Sequence, residues 1–339
     1  MRLTLLVPGL CGPPGPAATG DRLQALERLL SRSVRRHGAG NDLDTTLCML
    51  FGLEDFAGGS PPVAVFTCLS DTGLAPAGYI LRADPVHLRP DQACLRLFDS
   101  HAFTVTPAEA DELAAACNAL YAERGWRLEA AHPHRWYLTL PQAPELCTVN
   151  PVHVAGRDID PALPRGADAA AWHAVMNEIQ MLLHTHVVNT AREARGEPVI
   201  NSLWFWGGGT MPATLGCRVD RICSDHPLAR GLAQCAGIPV QGQPATAAEL
   251  LQSVNGGRLL VVLNTLEWDV AYADTTAWAA GLRHLERHWF VPLLEAVDSG
   301  RVKALEVHPC NRQVCVTGRW RQRLFWRPIR SLASCCPRA

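Results

Sequence analysis

Apolar residues form short runs along most of the chain, and these runs alternate with longer segments of helical spacing. Leu3–Val7 is an uninterrupted apolar run and predicts a buried first strand, whereas Asp21–Arg36 carries apolar residues three or four positions apart and predicts a helix. Strand–helix alternation of this kind is typical of a mostly parallel sheet covered on both faces. Further strands are predicted at Val63–Cys68, Val199–Trp206, Gly216–Ile222, Arg258–Leu263, Val302–Val307 and Gln313–Val316, and further helices at Thr45–Leu53, Ala167–Arg195 and near Pro227, Ala245 and Thr275.

Between residues 71 and 164 the pattern changes to short strands around one helix. Thr106-Pro107 followed by Glu109 has the spacing of a capping box with proline in the first helical turn, and predicts a helix that runs to about Arg124. We therefore expect a core domain formed by residues 1–70 and 165–330, with a smaller α+β domain inserted at residues 71–164. Strands of that domain are predicted at Gly78–Leu81, Val86–Leu88, Leu95–Phe98, Arg127–Ala130 and Trp136–Leu140.

Composition narrows the class of protein. The 339 residues are nearly half apolar and carry a formal charge of −1, so a large core is expected and a general attraction to nucleic acid or membranes is not. The apolar start is too short for a secretory signal. Thirteen cysteines lack the ligand spacing of a zinc site. We predict reduced thiols in a cytoplasmic protein.

The segment Gln180–Pro212, QMLLHTHVVNTAREARGEPVINSLWFWGGGTMP, resembles the archaeal-type cofactor-independent phosphoglycerate mutases of the alkaline-phosphatase superfamily. Weaker similarities occur in the same order at Arg82–Pro85, Asn150–Arg157 and Glu267–Asp269. The resemblance implies an α/β fold of the alkaline-phosphatase type, with a mostly parallel sheet flanked by helices and an inserted α+β domain. It also implies a diverged, bacterial, regulatory-type relative.

Enzymes of that family move a phosphoryl group through a serine, with two divalent metals that stabilise the attacking and leaving oxygens. This chain departs from the pattern. Its first strand leads into Pro8–Pro13 without a carboxylate, Asn41 lies near the serine position, and Val307-His308-Pro309 replaces the final Ser-Asp-His. We therefore expect no metal cofactor, with Mn²⁺ or Zn²⁺ as the alternative. The candidate metal ligands are Asp42, Asp269, Asp274 and His308.

Residues in the resembling segments and at the borders of the inserted domain are the candidates for binding a phosphorylated small molecule. The resemblance implies that the positions of Arg82, Arg135, His153 and Arg157 line the substrate cleft. Histidine and arginine are natural partners of phosphate, although packing in the core or solvation at the surface is the alternative for each. For the glycines after Trp206, an anion cradle and a tight turn for close packing both remain open. The candidates are Arg82, Asp84, Arg135, His153, Arg157, His186, Asn189, Arg192, Asn201, Trp206, Gly207 and Gly209.

Three hypotheses about function follow. The first is a non-catalytic regulatory protein that keeps the fold and binds a phosphorylated metabolite. The second is an active metal-dependent phosphoglycerate mutase or phosphatase with a rearranged site. The third is a scaffold or signalling protein, with a protein partner or a second copy of the chain bound through some of its ten tryptophans. His284 and His288 have the i,i+4 spacing of a metal pair, but a flank of the buried helix face is the favoured interpretation.

Overall fold

A computed structural model describes residues 1–13, 22–38, 40–54, 56, 60–92, 94–254 and 256–336. The chain divides into two compact units. The first unit comprises Met1–Glu54 and Thr214–Ala339, and the second comprises Asp55–Ala213. In the described residues, no helix combines the length and apolarity needed to span a membrane.

The first unit is built on a mixed, mostly parallel sheet of seven strands. Its order is β2-β12-β11-β1-β10-β8-β9; β12 runs antiparallel to both β11 and β2, and all other neighbours are parallel. The sheet confirms the predicted α/β class. The strands are β1 (Arg2–Leu6), β2 (Val34–His37), β8 (Arg221–Cys223), β9 (Val240–Gln241), β10 (Arg258–Val262), β11 (Ala304–His308) and β12 (Gln313–Thr317).

Helices cover the sheet of the first unit. On one face, alternate residues of β1, such as Leu3 and Leu5, pack with Leu29, Trp289 and Leu293 in one large apolar core. A π-helical turn, Glu286–Phe290, joins two of the helices on this face. The helices are α1 (Gln24–Ser31), α2 (Leu43–Leu50), α7 (Pro227–Cys235), α8 (Ala247–Ser253), α9 (Glu267–Ala271), α10 (Thr275–Leu285), α11 (Val291–Ser299), α12 (Arg319–Gln322) and α13 (Leu332–Cys335).

The second unit is built on an antiparallel sheet of five strands. The long strand β3 pairs with β4, β6 and β7, and β6 continues to β5. The strands are β3 (Tyr79–Asp91), β4 (Cys94–Phe98), β5 (Arg127–His132), β6 (Arg135–Leu140) and β7 (Ser202–Gly209), and the helices are α3 (Val63–Thr72), α4 (Pro107–Leu120), α5 (Ala169–His184) and α6 (Val187–Ala194).

The unit boundaries differ from those expected from the sequence. Residues 55–70 and 165–213 belong to the second unit rather than to the core domain. The reason is strand pairing: β7 lies antiparallel beside β3, with Trp206 opposite Arg82, and α3 and α5 contact β7. The second unit is therefore larger than the predicted insertion.

Three predicted elements are also corrected. Val63–Cys68 was predicted to be a strand but forms the first part of α3, because an apolar run buried on all sides has no periodicity that separates the two structures. The predicted helix Ala167–Arg195 is broken at Thr185, and His186 caps a second helix. The predicted helix Asp21–Arg36 ends at Ser31, after which Val34–His37 pairs with β12.

Candidate functional site

The carboxyl ends of β1, β10 and β11 meet at one edge of the parallel sheet. Backbone hydrogen bonds of 2.8 Å extend the pairing there, from Val7 N to the carbonyl of His308 and from Leu263 N to the carbonyl of Leu6. The loop after β1 is covered by Trp278, whose Nε1 donates to the carbonyl of Gly9 at 2.9 Å. This edge is where ligands bind in open α/β sheets. At the end of β1 it offers apolar residues and an indole.

Three carboxylates and one thiol interact at this edge; we call Asp42, Asp44, Glu267 and Cys310 the edge cluster. Part of Glu267 reaches solvent, but its carboxyl group is densely surrounded by protein. Burial raises the pKa of Glu267 well above its ordinary value, and the negative charges of Asp44 and Asp42 add to the shift. Burial also raises the pKa of the Cys310 thiol, again with a contribution from Glu267. Within the cluster, the Glu267 carboxyl group and the Cys310 thiol are therefore both shifted towards their neutral forms.

Two of the four predicted metal ligands, Asp42 and Asp274, serve as helix caps. Oδ1 of Asp42 accepts hydrogen bonds from the backbone N and the hydroxyl of Thr45, at 2.7 and 2.5 Å, and so caps α2. Asp274 caps α10 by accepting from two backbone N–H groups at 2.9 and 3.0 Å. Asp269 lies close enough to Asp274 that burial and this neighbour both raise its pKa.

The donor set does not fit the two-metal centre that the resemblance implies. The end of β1 supplies no carboxylate, and Asp42 uses Oδ1 as a cap. Within the described ranges, no group of three or more His, Cys, Asp or Glu side chains could hold a metal ion. A two-metal site needs several such ligands around each ion. No catalytic step through a metal follows from these residues.

A cleft of about 220 Å³ opens on the face of the sheet beneath α2. His308, one of the predicted ligands, lines this cleft, and its Nε2 is buried without a hydrogen-bond partner among the described residues. Glu306 lies beside it, with Oε2 3.9 Å from Nε2. His308 lowers the pKa of Glu306, and Arg36 acts in the same direction. The lining residues are Arg36, His37, Gly38, Thr46, Leu50, Glu306, His308, Val314 and Val316.

Strand register explains the composition of this cleft. Arg36 of β2 lies opposite Val314 of β12, and the β11–β12 register continues to bring Val314 beside His308. Residues opposite one another share a face, so Arg36 and His308 flank an apolar valine with their backbones about 10 Å apart. The cleft thus combines cationic or hydrogen-bonding nitrogens at two sides with an apolar floor, and the Glu306 carboxylate lies beside His308.

In the second unit, the predicted anion-binding residues Arg82, Asp84 and Trp206 form one buried network. Arg82 donates to both carboxylate oxygens of Asp84 at 2.8–2.9 Å, and the Trp206 indole donates to Oδ2 at 2.7 Å. The guanidinium also lies 5.0 and 5.5 Å from the ring centroids of Trp206 and Tyr137. Burial raises the pKa of Asp84, while Arg82 and Trp206 oppose the shift. Each polar group here is engaged within the protein.

Asn189, Arg192 and Asn201 also bind backbone groups of the second unit. Asn189 bridges the end of α5 to Ile200 with three hydrogen bonds of 2.8 Å. Arg192 donates to the carbonyls of Pro198 and Thr104 and to Glu109. Asn201 closes two hydrogen bonds with the backbone of Leu88, at 2.7 and 2.8 Å.

The remaining candidates lie in different surroundings. Arg135 is bound in a bidentate pair to Asp71, at 2.7 Å for both contacts. His153 and Arg157 are exposed, and His186 caps α6 by accepting from Val188 N. A role in binding stays a prediction for all four.

Gly207 and Gly209 allow α3 to pack closely on β7. A Cβ built on Gly209 would lie 2.4 Å from Cβ of Pro62, and one on Gly207, whose φ is +62°, would lie 3.0 Å from Cβ of Val63. These glycines fall within a strand rather than in a loop after it. Close packing, one of the two interpretations left open, accounts for both of them.

Several residues of the first unit were missed by the sequence analysis. Asp44 immediately precedes the predicted helix Thr45–Leu53, and Glu267 entered only as part of the similarity at Glu267–Asp269. Arg36 was assigned to a helix, so its position on a strand beside Val314 was not foreseen. The alternation of Glu306 and His308 along an otherwise apolar strand was the signal available for the cleft.

Comparison with known proteins adds to this geometry. No protein-family model matches the chain. The chain is 31% identical over 127 residues to the 2,3-bisphosphoglycerate-independent phosphoglycerate mutase of Methanothrix thermoacetophila, covering 36% of this chain and 32% of the relative. It is 30% identical over 95 residues to the mutase of the same name from Methanosarcina mazei, covering 26% of this chain and 24% of the relative. The chain thus spans a third or less of the length of these curated relatives.

Solved structures give a likeness that extends further along the chain. The PH0037 protein from Pyrococcus horikoshii matches 94% of this chain and 87% of its own, with a TM-score of 0.53 and 13% identity. The cofactor-independent phosphoglycerate mutase from Thermoplasma acidophilum matches with a TM-score of 0.41 and 20% identity. The PH0037 likeness shows a shared fold. Over the stretch matched by sequence, the chain is a distant homologue of archaeal cofactor-independent phosphoglycerate mutases.

Proposed function

We propose that the protein is a non-catalytic, phosphoglycerate-mutase-like regulatory protein that binds a phosphorylated small molecule. The distant homology supports the class, and the missing nucleophile and missing metal ligands support the loss of catalysis. An enzyme of the resembled type needs a hydroxyl nucleophile and several anionic or imidazole ligands. Here Asn41 precedes α2 near the nucleophile position, and an amide cannot form a phosphoenzyme.

The observation that carries the loss of catalysis is the set of side chains at the carboxyl edge of the sheet. The end of β1 supplies no carboxylate, and Val307 is followed by His308 and Pro309 where the family pattern has Ser-Asp-His. Too few anionic or imidazole ligands remain to hold two divalent cations. Asp42 is already bonded to Thr45.

For the bound molecule we propose the cleft lined by Arg36, His37 and His308. Nε2 of His308 is buried with only a long contact of 3.9 Å to Glu306, so a ligand or water that completes its hydrogen bonding would lower the free energy. Arg36 supplies a permanent cation, and the valine floor accommodates a short carbon chain. A small phosphorylated acid has the matching chemistry. The exposed His153 and Arg157 of the second unit stay separate candidates for phosphate contact.

Calorimetric titration tests this proposal with 3-phosphoglycerate and inorganic phosphate, each with and without Mn²⁺. We expect stoichiometric binding of 3-phosphoglycerate that does not depend on the metal, and no formation of 2-phosphoglycerate. Arg36→Gln is expected to weaken binding at least tenfold, because it removes a charge-assisted contact. Arg35→Gln is the matched control, since the neighbouring strand residue projects from the opposite face. Mn²⁺-dependent turnover, lost in Asp42→Ala, would overturn the proposal.

An active metal enzyme is the second candidate, and the proximity of Asp42, Asp44 and Glu267 is the observation in its favour. A bound cation would offset the repulsion that raises the pKa of Glu267. Elemental analysis of the purified full chain distinguishes the two. Stoichiometric manganese or zinc that is lost in Glu267→Gln favours the enzyme, and a metal content below one tenth of the protein favours the binding protein.

A further inference from the structure

The segment Gly318–Ser331, which we call the basic-aromatic segment, differs in composition from the rest of the chain. Its sequence, GRWRQRLFWRPIRS, contains five arginines, two tryptophans and a phenylalanine, and no Asp or Glu occurs after Glu306. The whole chain has a formal charge of −1, because acidic residues elsewhere balance the arginines of this segment. Local clusters, rather than the net charge, decide attraction to a surface within about one Debye length.

The aromatic rings of this segment point into solvent. Trp320 is 80% exposed, Phe325 is 81% exposed, and Trp326 is 67% exposed, with Ile329 at 41% beside them in sequence. Large aromatic residues are normally highly buried, and exposed apolar clusters on soluble proteins mark interaction sites. The rings are also mutually arranged: Phe325 and Trp326 meet edge to face at 5.3 Å, and Arg323 lies over Trp320 at 5.6 Å.

Both ends of the segment are fixed to the first unit. Gln322 is buried, donates to the Thr317 hydroxyl at 2.8 Å, and accepts from Arg32 through its backbone carbonyl. At the other end, Arg330 N donates to the Ser31 hydroxyl at 2.9 Å, and the buried Leu332 follows. The exposed rings are therefore presented by a surface held at two points, rather than by a free tail.

The five arginines are available to an outside partner. In the described part of the chain, the ion pairs between side chains do not include Arg319, Arg321, Arg323, Arg327 or Arg330. A surface that combines unpaired guanidinium groups with exposed indole and phenyl rings matches the headgroup region of a membrane. Arginine binds lipid phosphates there, and tryptophan rests at the boundary with the acyl chains.

We propose that the basic-aromatic segment docks the protein onto an anionic phospholipid surface. The aliphatic Ile329 and the edge-to-face rings favour lipid over single-stranded nucleic acid, because bases need flat, open ring faces for stacking. The expectation of no membrane partner rests on the net charge of the whole chain, in which the positive charge of this segment is balanced elsewhere. Binding here is peripheral and adds to the proposed metabolite binding without depending on it.

Co-sedimentation of the full chain with vesicles tests the inference. We expect binding to phosphatidylcholine vesicles that contain 30% phosphatidylglycerol, at least tenfold weaker binding to pure phosphatidylcholine, and at least tenfold weakening at high salt. Trp320→Ser combined with Phe325→Ser and Trp326→Ser removes only exposed rings, and is expected to lower binding at least tenfold. Arg321→Gln with Arg327→Gln is expected to abolish the preference for the anionic lipid.

Matched controls distinguish binding through the basic-aromatic segment from non-specific binding through other exposed apolar side chains. Leu74→Ser and Met181→Ser remove apolar side chains that are 73% and 75% exposed in the second unit, and we expect them to leave vesicle binding unchanged. Far-ultraviolet circular dichroism checks that the variants fold. Equal binding to neutral and anionic vesicles, an unaffected triple variant, or tighter binding of single-stranded RNA than of the anionic vesicles would each overturn the proposal.

Discussion

Two groups of buried charge, one in each unit, differ in what surrounds them. In the second unit, Asp84 faces Arg82 in a bidentate pair and also accepts from Trp206. In the first unit, Glu267 faces Asp44 and Asp42, and its pKa is raised rather than lowered by its neighbours. The first group is complete within the protein. The second brings carboxyl groups of like charge together, and both Asp44 and Asp42 raise the pKa of Glu267.

This difference shows which residues of the chain have a structural role in the segment that resembles the mutases, and which groups lie outside that segment. The segment that resembles the mutases most closely provides Asn189, Arg192 and Trp206, and each of these holds backbone or a buried carboxylate in place. Those residues preserve a fold. Glu267 and Asp269, whose pKa values are raised by acidic neighbours as well as by burial, instead lie in the first unit, outside that segment. Strongly perturbed groups cluster at functional sites more often than elsewhere.

The largest effect on stability is expected from breaking the buried pair of Arg82 and Asp84 in the second unit. Asp84→Ala leaves the Arg82 guanidinium buried and unpaired, and should lower the free energy of unfolding by about 3–5 kcal/mol. Urea denaturation followed by fluorescence measures it. The double variant Arg82→Met with Asp84→Leu removes both charges and should lose less than the single variant. An equal or larger loss would show that the pair's geometry, rather than its charge balance, matters most.

A smaller effect is expected from the glycine that lets α3 approach β7. Gly209→Ala places a methyl group 2.4 Å from Cβ of Pro62 and should cost about 1–3 kcal/mol of stability. Gly216→Ala is the control, because nothing lies within 4 Å of its added Cβ. If Gly209→Ala were as stable as the wild type but lost binding of 3-phosphoglycerate, an anion cradle would replace the packing explanation.

The group of like charges around Glu267 gives the most pH-dependent effect. Because the folded pKa of Glu267 lies above the unfolded value near 4.5, ionisation favours the unfolded chain, and stability falls as the pH rises through this interval. Glu267→Gln should therefore raise the free energy of unfolding by about 1–3 kcal/mol at pH 8 and change it little at pH 4. Glu295→Gln, at an exposed site, is the control. A gain that is equal at both pH values would contradict the like-charge explanation.

The sequence predicted the fold where local signals and tertiary context agree. The capping box at Thr106 and Glu109 forms as expected, and the run Leu3–Val7 becomes the central strand β1. Val63–Cys68 failed because burial on every side removes periodicity. The prediction of a helix over Asp21–Arg36 was wrong at its end, because Val34 continues the helical apolar spacing although Val34–His37 pairs with β12 as a strand. Residues about 280 positions apart form this pairing, so no local sequence pattern indicates it.

The candidate site was less predictable than the fold. Asp42, Asp269, Asp274 and His308 were selected as separate positions, but which of them share an environment depends on strand order. His308 lies in a cleft with Arg36 because β12 is inserted between β11 and β2. The sequence does not distinguish an arginine that binds a ligand from one that binds the protein itself. That distinction depends on which carboxylate or carbonyl each guanidinium group contacts in the folded chain. Asp71 and Asp84 are those partners for Arg135 and Arg82.

The position of β1 in the sheet has a consequence for synthesis. Its neighbours are β10 and β11, so Arg2 must find Arg258 and Ala304, more than 250 residues later. At about 5–20 residues per second, the ribosome needs roughly 10–50 s to deliver the first partner. The strands β3 to β7 are all complete by Gly209. The antiparallel sheet of the second unit can therefore form on the emerging chain before β1 has either of its partners. Until they are synthesised, the apolar residues of β1 stay exposed, and we expect chaperones to bind them.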